Sequence, residues 1–294
     1  MTYRRRNKIN GIALAQAVER YSMSVLHVDL LRRELSQRNV TFAQKHALEH
    51  SCTLAELPSV TYRATELHHG NFLPASYKAI KANGKWAARL SNASGQSTAG
   101  LHTEGRWTKL DAGTSSDALL MNVFCCPAVL RCKTLQLLLE VGQGVKPEFG
   151  YRPRIPLMNG RGDRTEVDMR LGSLLVEAKL TEADFQRAPR SAMCAYRDFG
   201  VVFEPDELPQ DQSWYFSYQL IRNVLAAYAL DCSFCLITDA RRPDLVEMFC
   251  AVIRAIRNAD MRYRSKLLLW QELSTHLPRS LRSFLSEKYG IESV

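Results

Sequence analysis

The stretch TEVDMRLGSLLVEAKLTE, from Thr165 to Glu182, sets Glu166, Asp168, Glu177 and Lys179 among valine, methionine and leucine. Burying charge in such company is costly unless it is paired or binds an ion. If Gly172–Ser173 forms a two-residue turn, with Gly first as a type II′ turn wants, Leu171 faces Leu174. Asp168 then stands opposite Glu177, and Glu166 opposite Lys179. Side chains alternate along a strand, so all four charges share one face. Val167, Met169, Leu171, Leu174, Val176, Ala178 and Leu180 take the other face without a polar residue and anchor the hairpin to a core. Two opposed carboxylates repel unless a cation lies between them. A hard divalent ion such as Mg²⁺ suits two carboxylates, a main-chain carbonyl and water. Lys179, two residues past Glu177, can orient a water beside that ion. A cation, a water and an ammonium in one place suit in-line attack on a phosphodiester. The bland alternative is a solvated strand face carrying two cross-strand ion pairs.

Such a hairpin needs a scaffold. Apolar residues at helical spacing predict helix over 11–50, with Thr41 able to cap a further helix. SNASGQSTAG (91–100) reads as a flexible loop. A helix is predicted from Ser116, interrupted at Pro127 and resuming to about Val141. Strands are expected at 152–158, 164–171 and 174–180, followed by an acidic, proline-containing loop, DFGVVFEPDELPQDQ. Helix returns from Ser213 to Leu230, CSFCLIT (232–238) reads as a buried strand, and RPDLVEMFCAVIRAIRN as an amphipathic helix. The order indicates a mixed α/β fold. Residues 1–110 form a helical extension with a loop-rich segment, and 111–294 the core with C-terminal helices.

The 294 residues carry a net charge of +9, which suits a polyanionic partner without proving one. No apolar run approaches the roughly 18 residues of a membrane span, and MTYRRRNKING lacks a following apolar region, so no secretory signal is expected. Eight Cys without a regular framework read as reduced thiols in a cytoplasmic protein.

EVDMRLGSLLVEAK resembles the metal-binding signature of the PD-(D/E)XK nuclease superfamily, with Asp168, Glu177 and Lys179 on its motif positions. HGNFLPASYKAI (69–80), SSDALLMNVFCCP (115–127), VEAKLTEADFQ (176–186) and YQLIRN (218–223) resemble a bacterial, restriction-endonuclease-like branch. The wider resemblance covers roughly residues 60–260. It implies an α-β-β-β-α-β core and Mg²⁺-dependent hydrolysis of nucleic acid, DNA before RNA, with Mn²⁺ as a substitute ion and a homodimer allowed. Asp168 and Glu177 would bind metal, and Lys179 would position the attacking water. The match departs at one point: no Pro precedes Asp168, where Val167 stands instead, and that Pro is often absent in the superfamily. The competing reading is a non-catalytic nucleic-acid-binding module that keeps the fold.

Superfamily members often add an acid from the helix before the hairpin, and Asp117, Glu140 and Glu148 are all eligible. Glu166 is either a further ligand or a salt-bridge partner of Lys179. On the helix at 213–230, Gln219, Arg222 and Asn223 form a narrow polar stripe at i, i+3 and i+4. It is either a phosphate contact, through Gln219 and Arg222, or a solvent face. Arg4, Arg5 and Arg6, and the run Arg254, Arg257, Arg262, Arg264 and Lys266, could track a phosphate backbone. Cys232 and Cys235 lack a second pair in register, which argues against zinc. His68-His69 has no visible partner, and the RGD at 161–163 is given no role.

Overall fold

A computed structural model describes residues 26–52, 59–91 and 108–293. Its centre is a five-stranded mixed sheet: β1 (Pro147–Tyr151), β2 (Val167–Leu171), β3 (Leu174–Ala178), β4 (Ser233–Thr238) and β5 (Ser265–Leu269), in the spatial order β5-β4-β3-β2-β1. The first three strands form an antiparallel meander, while β4 runs parallel to both β3 and β5. Central position explains composition: all five residues of β3 are buried, as a strand covered on both faces requires. β2, nearer the edge, alternates between buried and half-buried residues.

Five helices matter for the site: α1 (26–45), α2 (Ser116–Phe124), α3 (Tyr218–Ala229), α4 (Pro243–Arg254) and α5 (Arg279–Tyr289). α2 is capped by Ser115, whose side chain accepts the Ala118 N–H, and eight of its nine residues are buried. Leu119, Leu120, Val123 and Phe124 of α2 pack in one core with Met169, Leu171, Leu174, Val176, Ala178 and Leu180, the apolar face read from the sequence. α1 and α5 close the same core, with Phe42 edge-on to Phe284. On the opposite side of the sheet, Leu175, Phe234 and Leu236 meet Leu220, Ile221 and Val224 of α3 and Leu245, Phe249 and Val252 of α4.

The expected elements shift in places. The first strand is 147–151 rather than 152–158, and it holds Pro147 and Gly150 because it lies at the edge of the sheet, which tolerates them. Gly150 has φ +62°, with Arg89 and Glu166 occupying the space a side chain would need. Residues 152–158 contribute the short strand Ile155–Pro156, paired with Gly162–Asp163, and a single bridge from Leu157 to Tyr196. The helix expected from Ser213 starts at Tyr218, since Trp214–Phe216 pairs with Arg187–Pro189. The acidic loop holds short helical turns at Phe199–Val202 and Pro205–Glu207. Thr41 lies inside α1, its hydroxyl donating to the Gln37 carbonyl, and caps nothing. β5 had no counterpart in the sequence reading, while α5 falls among the C-terminal helices expected there. Ile12 to Tyr21 and Arg4, Arg5 and Arg6 lie outside the described residues. Among the described residues, no helix is long and apolar enough to cross a membrane.

Candidate active site

The β2–β3 hairpin has the expected register, with Leu171 opposite Leu174 and Met169 opposite Val176. Gly172 takes φ +61° while Ser173 does not have positive φ, the pattern of a type II′ turn. The ladder then opens. Beyond Met169 the backbone N–H of Ala178 donates to the Asp168 carboxylate at 2.8 Å instead of to a β2 carbonyl. Val167, past the opening, packs with Leu175 and the α3 side of the core rather than with Met169. The strictly apolar reverse face therefore ends at Asp168.

Glu177 and Lys179 project beside this opening and are buried, at 3% and 5% exposure, which excludes the solvated strand face. Lys179 Nζ lies 2.9 Å from one Glu177 oxygen and donates to Gln219 Oε1 at 2.8 Å. Asn223 Nδ2 holds the other Glu177 oxygen at 2.8 Å. The Lys179 backbone is fixed on both sides: its N–H donates to the Ile237 carbonyl, and its carbonyl accepts the Trp270 indole N–H at 3.1 Å.

Two acids outside the hairpin complete the cluster. Asp117, in the first turn of α2, pairs with Lys109 at 2.9 Å. Glu182 accepts the Leu180 N–H at 2.7 Å and the Ser116 hydroxyl. Fully buried Arg242 clamps the turn carrying Glu182, donating to the carbonyls of Leu180, Glu182 and Ala183 while pairing with Asp244.

Charge follows from this crowding. Burial, then Glu177 and then Asp117, push the Asp168 carboxyl well above the usual carboxylate range. For Lys179, burial opposes the charge, but Glu177, Glu182 and Asp168 outweigh it and raise its pKa. Glu182 is lowered: burial opposes ionisation, but Lys179 and the bonds from Leu180 and Ser116 overcome it.

Not every sequence candidate reaches this point. Glu166 does not meet Lys179. The strands have parted there, and Glu166 pairs with Arg152 at 2.8 Å and Arg89 at 3.5 Å. Of the three eligible upstream acids, Asp117 acts on Asp168. Glu140 pairs with Lys266 at the start of β5, the other end of the sheet, and Glu148 is exposed opposite Arg170. Gln219 and Asn223 face the cluster, so the polar stripe is no solvent face. Arg222 is 2% exposed and bound to Asp163, the Thr165 carbonyl and Asn223, which removes it as a phosphate contact. Much of the late basic run is likewise held by protein: Arg257 by Glu204, Arg264 by Asp231 and Asp260, Lys266 by Glu140, and Arg262 by the Ile256 carbonyl. His69 does have a partner, Asp111 at 3.0 Å in the core. The eight Cys are free thiols. Glu182, Arg242 and Trp270 were missed; only Glu182, three residues after Lys179, left a local signal.

Among the described residues no three His, Cys, Asp or Glu side chains converge as a ready-made metal cage. The donor set instead fits an ion that takes one or two carboxylates and keeps its waters, which is how Mg²⁺ is commonly held. Asp168 and Glu177 are the residues that could hold it. Their crowding with Asp117 leaves a negative charge that such an ion relieves.

A protein-family model described as Restriction Endonuclease associating with ARP matches residues 36–290. No curated protein and no solved structure matches the chain.

Proposed function

The chain belongs to the family described as Restriction Endonuclease associating with ARP, and from that premise we propose that it is a Mg²⁺-dependent nuclease of the PD-(D/E)XK type, hydrolysing phosphodiester bonds of DNA. The observation that carries the proposal is the meeting of Asp168, Glu177 and Lys179 where the β2–β3 ladder opens, in the order the signature requires. Asp168 and Glu177 hold the divalent ion, with Mn²⁺ able to replace Mg²⁺. When bound, that ion supplies Lewis-acid stabilisation of the phosphate oxygens.

The chain's own residues do the rest. Lys179, kept charged by its three acids, holds a proton at Nζ and presents positive charge to the attacking water and the charged phosphorane-like transition state. Gln219 aims that ammonium, and Asn223 fixes the Glu177 carboxylate so that it cannot rotate away. Trp270 and Ile237 hold the Lys179 main chain, so the side chain departs from a rigid strand. We extend the association with ARP named in the family description to this chain, as a partner that co-purification would detect.

The test is incubation of the pure protein with supercoiled plasmid, linear DNA and RNA, in Mg²⁺ or EDTA. Cleavage of DNA in Mg²⁺, abolished by EDTA, by Asp168→Asn and by Lys179→Ala, is the expected result. Intact DNA under every condition, with binding retained, would replace this reading by a non-catalytic binding module.

A further inference from the structure

We infer that the loop 152–165 is the arm that grips the sugar–phosphate backbone of the substrate beside the Asp168 cluster. The inference rests on the nuclease reading and adds how a polyanion is held at a site rich in acids.

Position comes first. Tyr151 pairs with Val167, so the loop leaves β1 and enters β2 at the end of the sheet where Asp168 lies. Arg164 stands four residues before Asp168. The loop is built rather than loose: Ile155–Pro156 pairs with Gly162–Asp163, and the turn closes with the Gly160 N–H on the Leu157 carbonyl. Asp163 accepts Arg222 at 3.0 Å and the Tyr196 hydroxyl at 2.7 Å. Arg222 continues to Asn223 at 2.6 Å, and Asn223 to Glu177. The RGD tripeptide thus supplies the residue that fastens the loop to a carboxylate of the site.

Charge comes second. Residues 152–165 contain four Arg and a single acid, Asp163. Arg222 neutralises Asp163, and Glu166 takes Arg152. Arg154, Arg161 and Arg164 are exposed, and their guanidinium groups meet no carboxylate or hydrogen-bond acceptor among the described residues. The cations inside the site cannot serve instead, because Lys109 is paired with Asp117 and Lys179 with Glu177. The acid cluster repels phosphate, so the attraction that holds substrate must come from a neighbouring surface. These three arginines are such a surface, on an arm fixed to the site.

The test measures binding of a labelled DNA duplex against salt, in an Asp168→Asn background that prevents cleavage. Each duplex phosphate neutralised contributes about 0.9 to the log–log slope. The triple variant Arg154→Ala/Arg161→Ala/Arg164→Ala should flatten the slope by between two and three units, and a triple Arg→Lys variant should keep it. Lys78→Ala/Lys81→Ala/Lys85→Ala removes equal charge from exposed positions of the helices Pro74–Ala82 and Gly84–Ser91, outside the loop, and should leave the slope unchanged. Melting temperatures equal to the parent's exclude loss of fold. An unchanged slope in the loop variant overturns the inference, as does an equal loss in both triples, which would signal net charge alone. DNA cleavage by the otherwise unaltered protein in Mg²⁺ is scored separately, so the nuclease reading stands or falls on its own result.

Discussion

Asp168→Asn should make the metal-free protein more stable while abolishing its response to metal. Asp168 sits against Glu177 and Asp117, and its carboxyl resists ionisation because of burial and those two acids. Asn keeps an oxygen to accept the Ala178 N–H, so the ladder opening survives, while the like-charge repulsion goes. An opposed like-charge pair is destabilising by up to about 1 kcal/mol. With an unfolding entropy of about 2.1 cal/mol/K per residue over 294 residues, that corresponds to a rise of about 2 °C in Tm in EDTA. A divalent ion binding only the folded state at a hundred times its Kd adds about 2.7 kcal/mol, or about 4 °C on the same entropy, to the unaltered protein and nothing to the variant. The pH dependence has a definite sign. Below about pH 4 Asp168 is protonated folded and unfolded, and the variant gains nothing from removing its charge. Above that the unfolded chain releases the proton first, so the native protein loses stability as pH rises towards the raised folded pKa, and the advantage of Asn grows across that window. Scanning calorimetry with EDTA, Mg²⁺ and Mn²⁺ at several pH values reads all of this. Equal metal shifts in both proteins, or an advantage largest in acid, would refute the reasoning.

Lys179→Met leaves Glu177 buried without its cation, so it should cost about 3 kcal/mol and abolish DNA cleavage with DNA affinity retained; calorimetry and a nuclease assay check both. Because the Lys179 pKa is raised, that cost should be full up to about pH 10 and fade as pH climbs through the folded value. Arg222→Met strands Asp163 and loosens the arm at 152–165, so it should destabilise by about 3 kcal/mol, slow cleavage through Asn223 and weaken DNA binding; calorimetry, a nuclease assay and a binding assay check the three. Trp270→Phe leaves the Lys179 carbonyl without its donor, so a loss of about 1–3 kcal/mol with a lower kcat and unchanged DNA affinity is expected from melting and steady-state assays.

The hairpin was legible because strand alternation and a Gly-first turn fix register locally, and Met169 opposite Val176 leaves Asp168 and Glu177 as the next residues where the ladder opens. The same argument failed at Glu166, since alternation assumes a ladder that continues, and this one ends at Met169. Asp117 could be named but not chosen over Glu140 and Glu148, because the choice depends on how α2 crosses the sheet. Glu182 owes its place to Ser116, 66 residues away. Arg222 looked like a surface residue on a polar stripe, and only the fold of 155–163 shows that Asp163 draws it inward. SKLLL, the heart of β5, is too short an apolar run to distinguish strand from helix by period.

Why an aspartate at the opening, and not a glutamate, follows from the backbone. When β2 and β3 part, the Ala178 N–H loses its ladder acceptor in a half-buried setting, where an orphaned donor costs free energy comparable to a lost hydrogen bond. Asp168 supplies the acceptor at 2.8 Å, close to its own main chain. The longer Glu side chain would carry its carboxylate past that N–H, towards Glu177. One Asp168 oxygen is thus fixed by the fold, and the direction of the carboxylate is set before any ion or substrate arrives. The residue that repairs the sheet is also the residue that loads the site with charge. The repulsion it creates is tolerated because the apolar face beneath, from Met169 to Leu180, packs against α2 and cannot yield. Substituting Asp168 therefore separates two effects that a core mutation would merge: the hydrogen bond that Asn preserves, and the charge that only Asp provides.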